Sequence, residues 1–163
     1  MSTLEPILAR HPFFKDLEQQ YLQLLVGCAS NVVFKVGETI ARQREDADRF
    51  YLVRQGKVAV GCHIPEGGRI VIQTLTDGDI FGWDWLVPPY RWHLDAHAVE
   101  PTRAIALDGR CLRDKCAIDH HLGYEFLMRF TQVAVQQLEA TRFQLLDVFR
   151  APGDGISNAS ART

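Results

Sequence analysis

The sequence has 163 residues, of which 47% are hydrophobic and 23% are charged, and its 18 Lys and Arg residues nearly balance its 20 Asp and Glu residues. This length suits one domain with a sizeable core, and the balanced charge argues against direct binding to nucleic acid or to an anionic membrane. The segment from Met1 to Arg10 lacks the continuous apolar run of a signal peptide or a membrane span, so a cytoplasmic protein is expected.

The four cysteines, Cys28, Cys62, Cys111 and Cys116, include no CxxC pair. This excludes zinc-ribbon and thioredoxin motifs, and in a cytoplasmic protein free thiols are expected. Cys111 and Cys116, with His120 one helical turn further on, could also form a metal or redox cluster. The spacing matches no standard ligand pattern, which favours packed small side chains instead.

The first thirty residues show a helical pattern. After His11-Pro12, apolar side chains recur at spacings of three and four residues, at Leu17, Tyr21, Leu24, Leu25 and Cys28. This periodicity predicts N-terminal helices over residues 1–30.

From Asn31 to Asp108, short β-branched and apolar runs alternate with turn residues such as Gly37, Gly56 and Pro101. The candidate strands are Val32–Phe34, Phe50–Arg54, Lys57–Cys62, Arg69–Leu75, His93–Val99 and Arg103–Leu107. Many short strands with regular turns predict a mainly β domain, a compact antiparallel barrel or sandwich, over residues 31–108.

Helical periodicity returns after Asp108 and predicts C-terminal helices over residues 110–150, including one long helix. The apolar stripe of that helix is formed by Leu127, Phe130, Ala134, Leu138, Thr141, Leu145 and Val148. The stripe could pack on its own roll, but it is longer than one small body can cover, which favours a homodimer through this helix. Residues 1–150 are thus expected to form a single domain, and residues 151–163, rich in Gly, Ser, Ala and Asn, a disordered tail.

Four sequence blocks accompany this order of elements: Gly37-Glu38-Thr39-Ile40, the run from Asp46 to Val53, the run from Gly56 to Val60, and the run from Leu75 to Gly82. With them, residues 11–150 resemble the cyclic nucleotide-binding domain family, of the type found in the catabolite activator protein and the regulatory subunit of protein kinase A. The resemblance implies an antiparallel β jelly roll or barrel with N-terminal helices and a long C-terminal helix, and a regulatory protein.

The resemblance also implies where a ligand would bind. The family's phosphate-binding cassette begins at Phe81-Gly82 as a short helix whose backbone amides face the cyclic phosphate. An acid directly after that glycine accepts from the ribose hydroxyl, and an arginine further on pairs with the phosphate. Here Trp83 stands at the acid's position, with Asp84 one residue late, and Trp92 stands at the arginine's position, with Arg91 one residue early.

These departures favour an altered pocket and leave three interpretations open. The candidate ligand-binding residues are Phe81, Gly82, Trp83, Asp84, Trp85, Leu86, Arg91, Trp92 and His93. Their rings could stack on a different planar or apolar ligand, or fill the former cavity and make the domain a ligand-free interaction module. Genuine binding of cyclic AMP or cyclic GMP is the alternative, if the prolines of this loop turn Arg91 into the pocket. No other cofactor is expected.

Other kinds of site find little support in the sequence. His93, Asp95 and His97 alternate along one predicted strand and could share a metal, but Leu94, Ala96 and Ala98 are the expected core side, so the polar side is expected to face solvent. No nucleophile motif and no Gly-rich phosphate loop is present, which argues against an enzyme. The residues after 150 are too few for a helix-turn-helix, so any effect on transcription is expected to pass through a protein partner.

Overall fold

The structure is a computed structural model that describes residues 4–150. Within these residues the helices are α1 (Leu4–Arg10), a 3-10 helix (Pro12–Phe14), α2 (Gln19–Val26), α3 (Gly109–Ile118) and α4 (His120–Phe149). The chain divides into two compact units between Leu127 and Met128, so that α4 begins in the first and ends in the second. The disorder expected for residues 151–163 lies outside the described residues, and a single domain over residues 1–150 stays a prediction.

Eight strands lie in the described part of the first unit: β1 (Ala29–Phe34), β2 (Thr39–Ala41), β3 (Arg49–Gln55), β4 (Val58–Ile64), β5 (Gly68–Leu75), β6 (Ile80–Phe81), β7 (Asp95–Ala98) and β8 (Thr102–Asp108). They form two four-stranded antiparallel sheets, in the orders β1-β8-β3-β6 and β2-β7-β4-β5. This confirms the mainly β jelly-roll fold with flanking helices, although two sheets are present and not one closed barrel.

The predicted element boundaries need three corrections. The N-terminal helices end at Val26, because β1 already begins at Ala29 and pairs with β8. The short strands β2 and β6 were missed, since three and two residues are too few to show alternation. The predicted strand His93–Val99 is only Asp95–Ala98, because the chain before Asp95 is still part of the preceding loop.

A disulfide joins Cys28 to Cys111, so the expectation of four free thiols is wrong. The two residues are 83 positions apart, but β1 and β8 are antiparallel neighbours, with Ala29 opposite Leu107. Cys28 directly precedes β1, and Cys111 lies in the first turn of α3 directly after β8. The sheet register therefore brings the two sulfurs together, which spacing alone could not indicate. Cys62 and Cys116 are free and partly buried.

An aromatic cluster anchors the helices of the first unit to the outside of the roll. Trp85 is fully buried, stacks on Phe50 of β3 at 5.3 Å between ring centroids, and meets Phe126 edge-on at 5.7 Å. Phe13 of the 3-10 helix contacts both Phe50 and Phe126. Gly109 is needed here, because a Cβ on it would lie 2.8 Å from Cβ of Trp85.

The part of α4 in the second unit exposes much apolar surface. Phe130 is buried, whereas Ala134, Leu138, Thr141 and Leu145 are exposed, as are Phe143, Leu146, Val148 and Phe149. Within residues 4–150, none of the helices combines the length and the apolar character needed to cross a bilayer.

Candidate functional site

The loop from Phe81 to His93, called the cassette loop here, is built from turns. Gly82 has a φ of +102°, a conformation that glycine adopts without strain. The amide of Leu86 donates to the carbonyl of Trp83 at 3.1 Å, and the amide of Tyr90 donates to that of Val87 at 3.0 Å. The short helix that the resemblance implied is therefore absent from this loop as the structure describes it.

Trp92 lies inside the roll, between the two sheets. Its side chain is only 5% exposed and stacks on Phe81 with ring centroids 4.9 Å apart and planes 13° from parallel. A Cβ at Gly82 would meet Cζ3 of Trp92 at 2.9 Å, so the indole lies directly against the glycine backbone. The surrounding cluster, the roll interior, consists of Ala41, Ala47, Tyr51, Val53, Val58, Val60, Leu75, Phe81, Trp92, Ala96 and Ala106.

Backbone hydrogen bonds hold the end of the cassette loop against the β2–β3 connection. Trp92 donates to the carbonyl of Glu45 at 2.9 Å and accepts from the amide of Arg44 at 2.8 Å. The amide of Ala47 donates to the carbonyl of Tyr90 at 2.8 Å. These bonds fix the backbone at residue 92 so that its side chain points inward.

Arg91, one residue earlier, points the other way. Its side chain is 56% exposed, pairs with Asp46 at 3.3 Å and donates from Nη1 to the carbonyl of Arg44 at 3.1 Å. Because neighbouring residues of an extended segment face opposite sides, an inward Trp92 requires an outward Arg91. The guanidinium thus lies on the outer surface of the β2–β3 connection.

Asp84, the acid that stands one residue late, pairs with a histidine of the same loop. Its carboxylate contacts Nδ1 of His93, and Trp83 stacks on the His93 ring at 5.0 Å between centroids. Burial raises the pKa of Asp84 above its usual value, although the hydrogen bond and charge of His93 act in the opposite direction. The Asp84 carboxylate and the His93 ring are therefore paired with each other.

Trp85 and Leu86 lie on a third side of the loop. Trp85 belongs to the cluster with Phe50 and Phe126, and its carbonyl accepts from Nη1 of Arg113 at 2.6 Å. The nine candidate residues are therefore not one site. Phe81, Gly82 and Trp92 meet inside the roll, Trp83 and the buried Asp84 both contact His93, Arg91 lies outside on the β2–β3 connection, and Trp85 and Leu86 face the helices.

The polar residues of β7 do not share a metal site. Asp95 accepts from the amide of Gln43 at 2.7 Å and pairs with His63 at 3.1 Å, while His97 contacts Nη1 of Arg69 at 3.0 Å. Burial and Arg69 lower the pKa of His97. Across residues 4–150 no three His, Cys, Asp or Glu side chains form a group suited to a metal ion.

The small residues that make room for the indole were not evident from the sequence. Ala41, Ala47 and Ala96 come from three different segments and are each at most 3% exposed. The signal was weak, because a single alanine in a strand or a connection is common. Arg113 was also missed, since one arginine on a helix is usually a solvated side chain.

Comparisons with known proteins agree with this architecture. The model of the "Cyclic nucleotide-binding domain" family matches residues 31–119. A CRP-like cAMP-activated global transcriptional regulator of Mycobacterium tuberculosis is 26% identical over 145 residues, covering 89% of this chain and 63% of the regulator. The chain thus spans less than two thirds of the length of that relative.

Two further similarities, one in sequence and one in structure, agree with this match. A cAMP-dependent protein kinase regulatory subunit of Schizosaccharomyces pombe is 31% identical over 78 residues, which are 48% of this chain and 18% of that protein. The crystal structure of a cyclic nucleotide-binding domain from Methylobacillus flagellatus KT superposes with a TM-score of 0.75 at 19% identity, covering 92% of this chain and 84% of that one. Because the family model matches more than half of its length, the chain belongs to the cyclic nucleotide-binding domain family, and its two antiparallel sheets agree with this.

Proposed function

We propose that this chain is a non-catalytic sensor domain whose roll does not accept a cyclic nucleotide. The observation that carries the proposal is the burial of Trp92 inside the roll, stacked on Phe81 and against Gly82. The family's arginine would meet the cyclic phosphate at this position, but an indole supplies bulk and no positive charge.

The chemistry of the roll interior supports the same conclusion. Apart from the hydroxyl of Tyr51, the side chains of that cluster carry only apolar groups and the indole N–H of Trp92. A phosphate moved into such surroundings loses its hydration without gaining a cation, which costs several kcal/mol. The nearest arginine along the chain, Arg91, is paired with Asp46 outside the roll.

Cyclic nucleotide binding is the second candidate, and the names of the two relatives described above favour it. It would require the Asp46 pair of Arg91 and the backbone bonds of Trp92 to break, so that the guanidinium enters and the indole leaves. Both losses would reduce the affinity for the nucleotide.

Isothermal titration of the chain with cyclic AMP and cyclic GMP tests the proposal. We expect no saturable heat with either nucleotide at millimolar concentration, in a sample whose near-ultraviolet circular dichroism shows ordered tryptophans. The matched variant is Arg91→Ala, which removes the only nearby guanidinium of the loop without touching the roll interior. Saturable binding to the unaltered chain would contradict the proposal, and its loss in Arg91→Ala would assign the phosphate to that guanidinium.

We further propose that the chain acts as a homodimer through α4. Leu138 and Leu145, one heptad apart, are 51% and 54% exposed, and large apolar side chains continue to Phe149. Exposed apolar surface of this extent is typical of an interaction site. A change sensed in the first unit would then be read out by the dimer or by a protein partner bound to it.

A further inference from the structure

We infer that a cavity between the cassette loop and helices α3 and α4 binds a small organic carboxylate with an apolar body. The inference extends the proposed function, because it gives a sensor with a closed roll a second place for a ligand. It concerns the first unit alone, since every lining residue lies before Met128.

The cavity has a volume of about 480 Å³, within the range of about 300–1,000 Å³ that is typical of small-molecule sites. Leu86 and Tyr90 of the cassette loop form one wall, and Arg113 and Cys116 of α3 form another. A ligand in it would contact both the loop and the helices that follow the roll.

Most of the lining is apolar or aromatic. Beyond Leu86 and Tyr90, it includes Ala117 of α3 and Tyr124 and Leu127 of α4. Tyr124 and Leu127 are 58% and 52% exposed, so apolar surface borders the opening. Burying that surface against the body of a ligand removes it from water, which favours binding.

The charge of the lining selects an anion. Arg113 is a permanent cation, His120 is the other ionisable nitrogen group, and no Asp or Glu is among the lining residues that the structure describes. A guanidinium binds a carboxylate through two parallel hydrogen bonds, which suits a monoanion. A phosphate dianion would call for a second permanent cation, which the described lining lacks.

Arg113 is held in place before any ligand arrives. Its Nη1 donates to the carbonyl of Trp85 at 2.6 Å, and its guanidinium lies 4.2 Å from the centre of the Tyr90 ring. A guanidinium has five N–H donors, and the bond to Trp85 uses one of them. Because the side chain is already ordered, binding loses less conformational entropy.

The thiol in the wall adds no competing negative charge. Burial and the nearby Asp119 raise the pKa of Cys116 to about 11, so the group is a neutral thiol at physiological pH.

The inference is tested by titrating the full chain with 2-naphthoate, decanoate and the neutral 2-naphthalenemethanol. Calorimetry and tryptophan fluorescence measure the binding. We expect both carboxylates to bind at one site per chain and the alcohol to bind at least about tenfold more weakly. The substitution Arg113→Met should weaken the binding of 2-naphthoate by a similar factor.

Because Arg113→Met could disturb folding through Trp85, Gly123 provides an independent pair of variants. A Cβ at Gly123 would lie 3.5 Å from Cβ of Cys116, an ordinary contact, and any larger residue would extend into the cavity. Gly123→Ala should therefore keep naphthoate binding, whereas Gly123→Leu should weaken it at least about tenfold while leaving the helix intact.

Three results would overturn the inference: no saturable binding of either carboxylate, equal binding of the alcohol, or unchanged binding in Gly123→Leu. A change of molecular mass in Gly123→Leu without loss of naphthoate binding would instead assign the cavity to contact between copies. None of these results bears on Trp92. The carboxylate site can therefore fail while the proposed function stands, because the proposed function is tested separately by titration with cyclic AMP.

Discussion

At the scale of single residues, the indole of Trp92 occupies the interior of the roll. Trp92 is surrounded by alanines and β-branched side chains, and it touches the glycine at which the family's phosphate cradle begins. An arginine in the same place would leave its charge buried in an apolar interior unless an anion joined it. A tryptophan at this position therefore suits a filled, apolar interior, whereas an arginine suits an interior that receives an anionic ligand.

Trp92→Ala should lower the free energy of unfolding by about 3–5 kcal/mol, because it leaves a cavity in a close-packed interior. The measurement is urea unfolding followed by far-ultraviolet circular dichroism. The control is Trp83→Ala, which removes an indole stacked on the exposed side of the same loop and should cost only about 1 kcal/mol. Equal losses in the two variants would contradict the burial of Trp92.

The sequence could predict which side chains depart from the family's cassette, but not whether each of them lies inside the roll or on its surface. Trp83 and Trp92 are both tryptophans at positions where a charged residue was expected, yet one is half-buried on the surface and the other fills the roll. The difference comes from the β2–β3 connection, whose hydrogen bonds to Tyr90 and Trp92 orient the backbone. Contacts between segments more than forty residues apart leave no local pattern.

At the scale of elements, the N-terminal 3-10 helix has a titratable residue at its N-cap. His11 is the N-cap residue, and its Nδ1 accepts from the amide of Phe13 at 3.1 Å. Burial lowers the pKa of His11 below its usual value of 6.5, while the Gly78 backbone and Asp79 act in the opposite direction. The cap therefore works with the neutral imidazole.

His11→Asn should make the protein less sensitive to acid. With a folded-state pKa below the unfolded one, the stability from neutral His11 is present above about pH 6.5 and is lost as the pH falls through the lowered value. Asparagine keeps a capping acceptor but does not titrate. Urea midpoints at about pH 7.5 and about pH 5 should thus differ less in the variant than in the unaltered chain. A larger difference in the variant would refute the assignment.

The elements that the sequence predicted well are those with enough residues to repeat a pattern. The β domain, the strands of seven or eight residues and the long C-terminal helix were evident from periodicity, whereas the jelly roll was implied by the resemblance. The strands β2 and β6 and the Cys28–Cys111 disulfide were not, because each depends on a partner that is distant in sequence.

At the scale of the whole molecule, the second unit is expected to be incomplete without a second copy. Leu138→Lys/Leu145→Lys places two charges on the exposed apolar stripe of α4 and should convert a dimer to a monomer. Light scattering coupled to gel filtration measures the mass. The charge-matched control is Gln132→Lys/Gln136→Lys, at two exposed positions on another side of the helix, which should remain dimeric. A monomeric unaltered chain would exclude this role of α4.

The bonds between the β2–β3 connection and the end of the cassette loop have a kinetic consequence for the roll. Three backbone hydrogen bonds, made by Arg44, Ala47 and Trp92, close the seam beside which the indole lies. Because these bonds hold the backbone at residue 92 with its side chain directed inward, turning the indole outward requires them to break. The three bonds must therefore break together, in a local unfolding event, before the interior becomes accessible. The rate of that event would limit how fast any molecule could replace the indole.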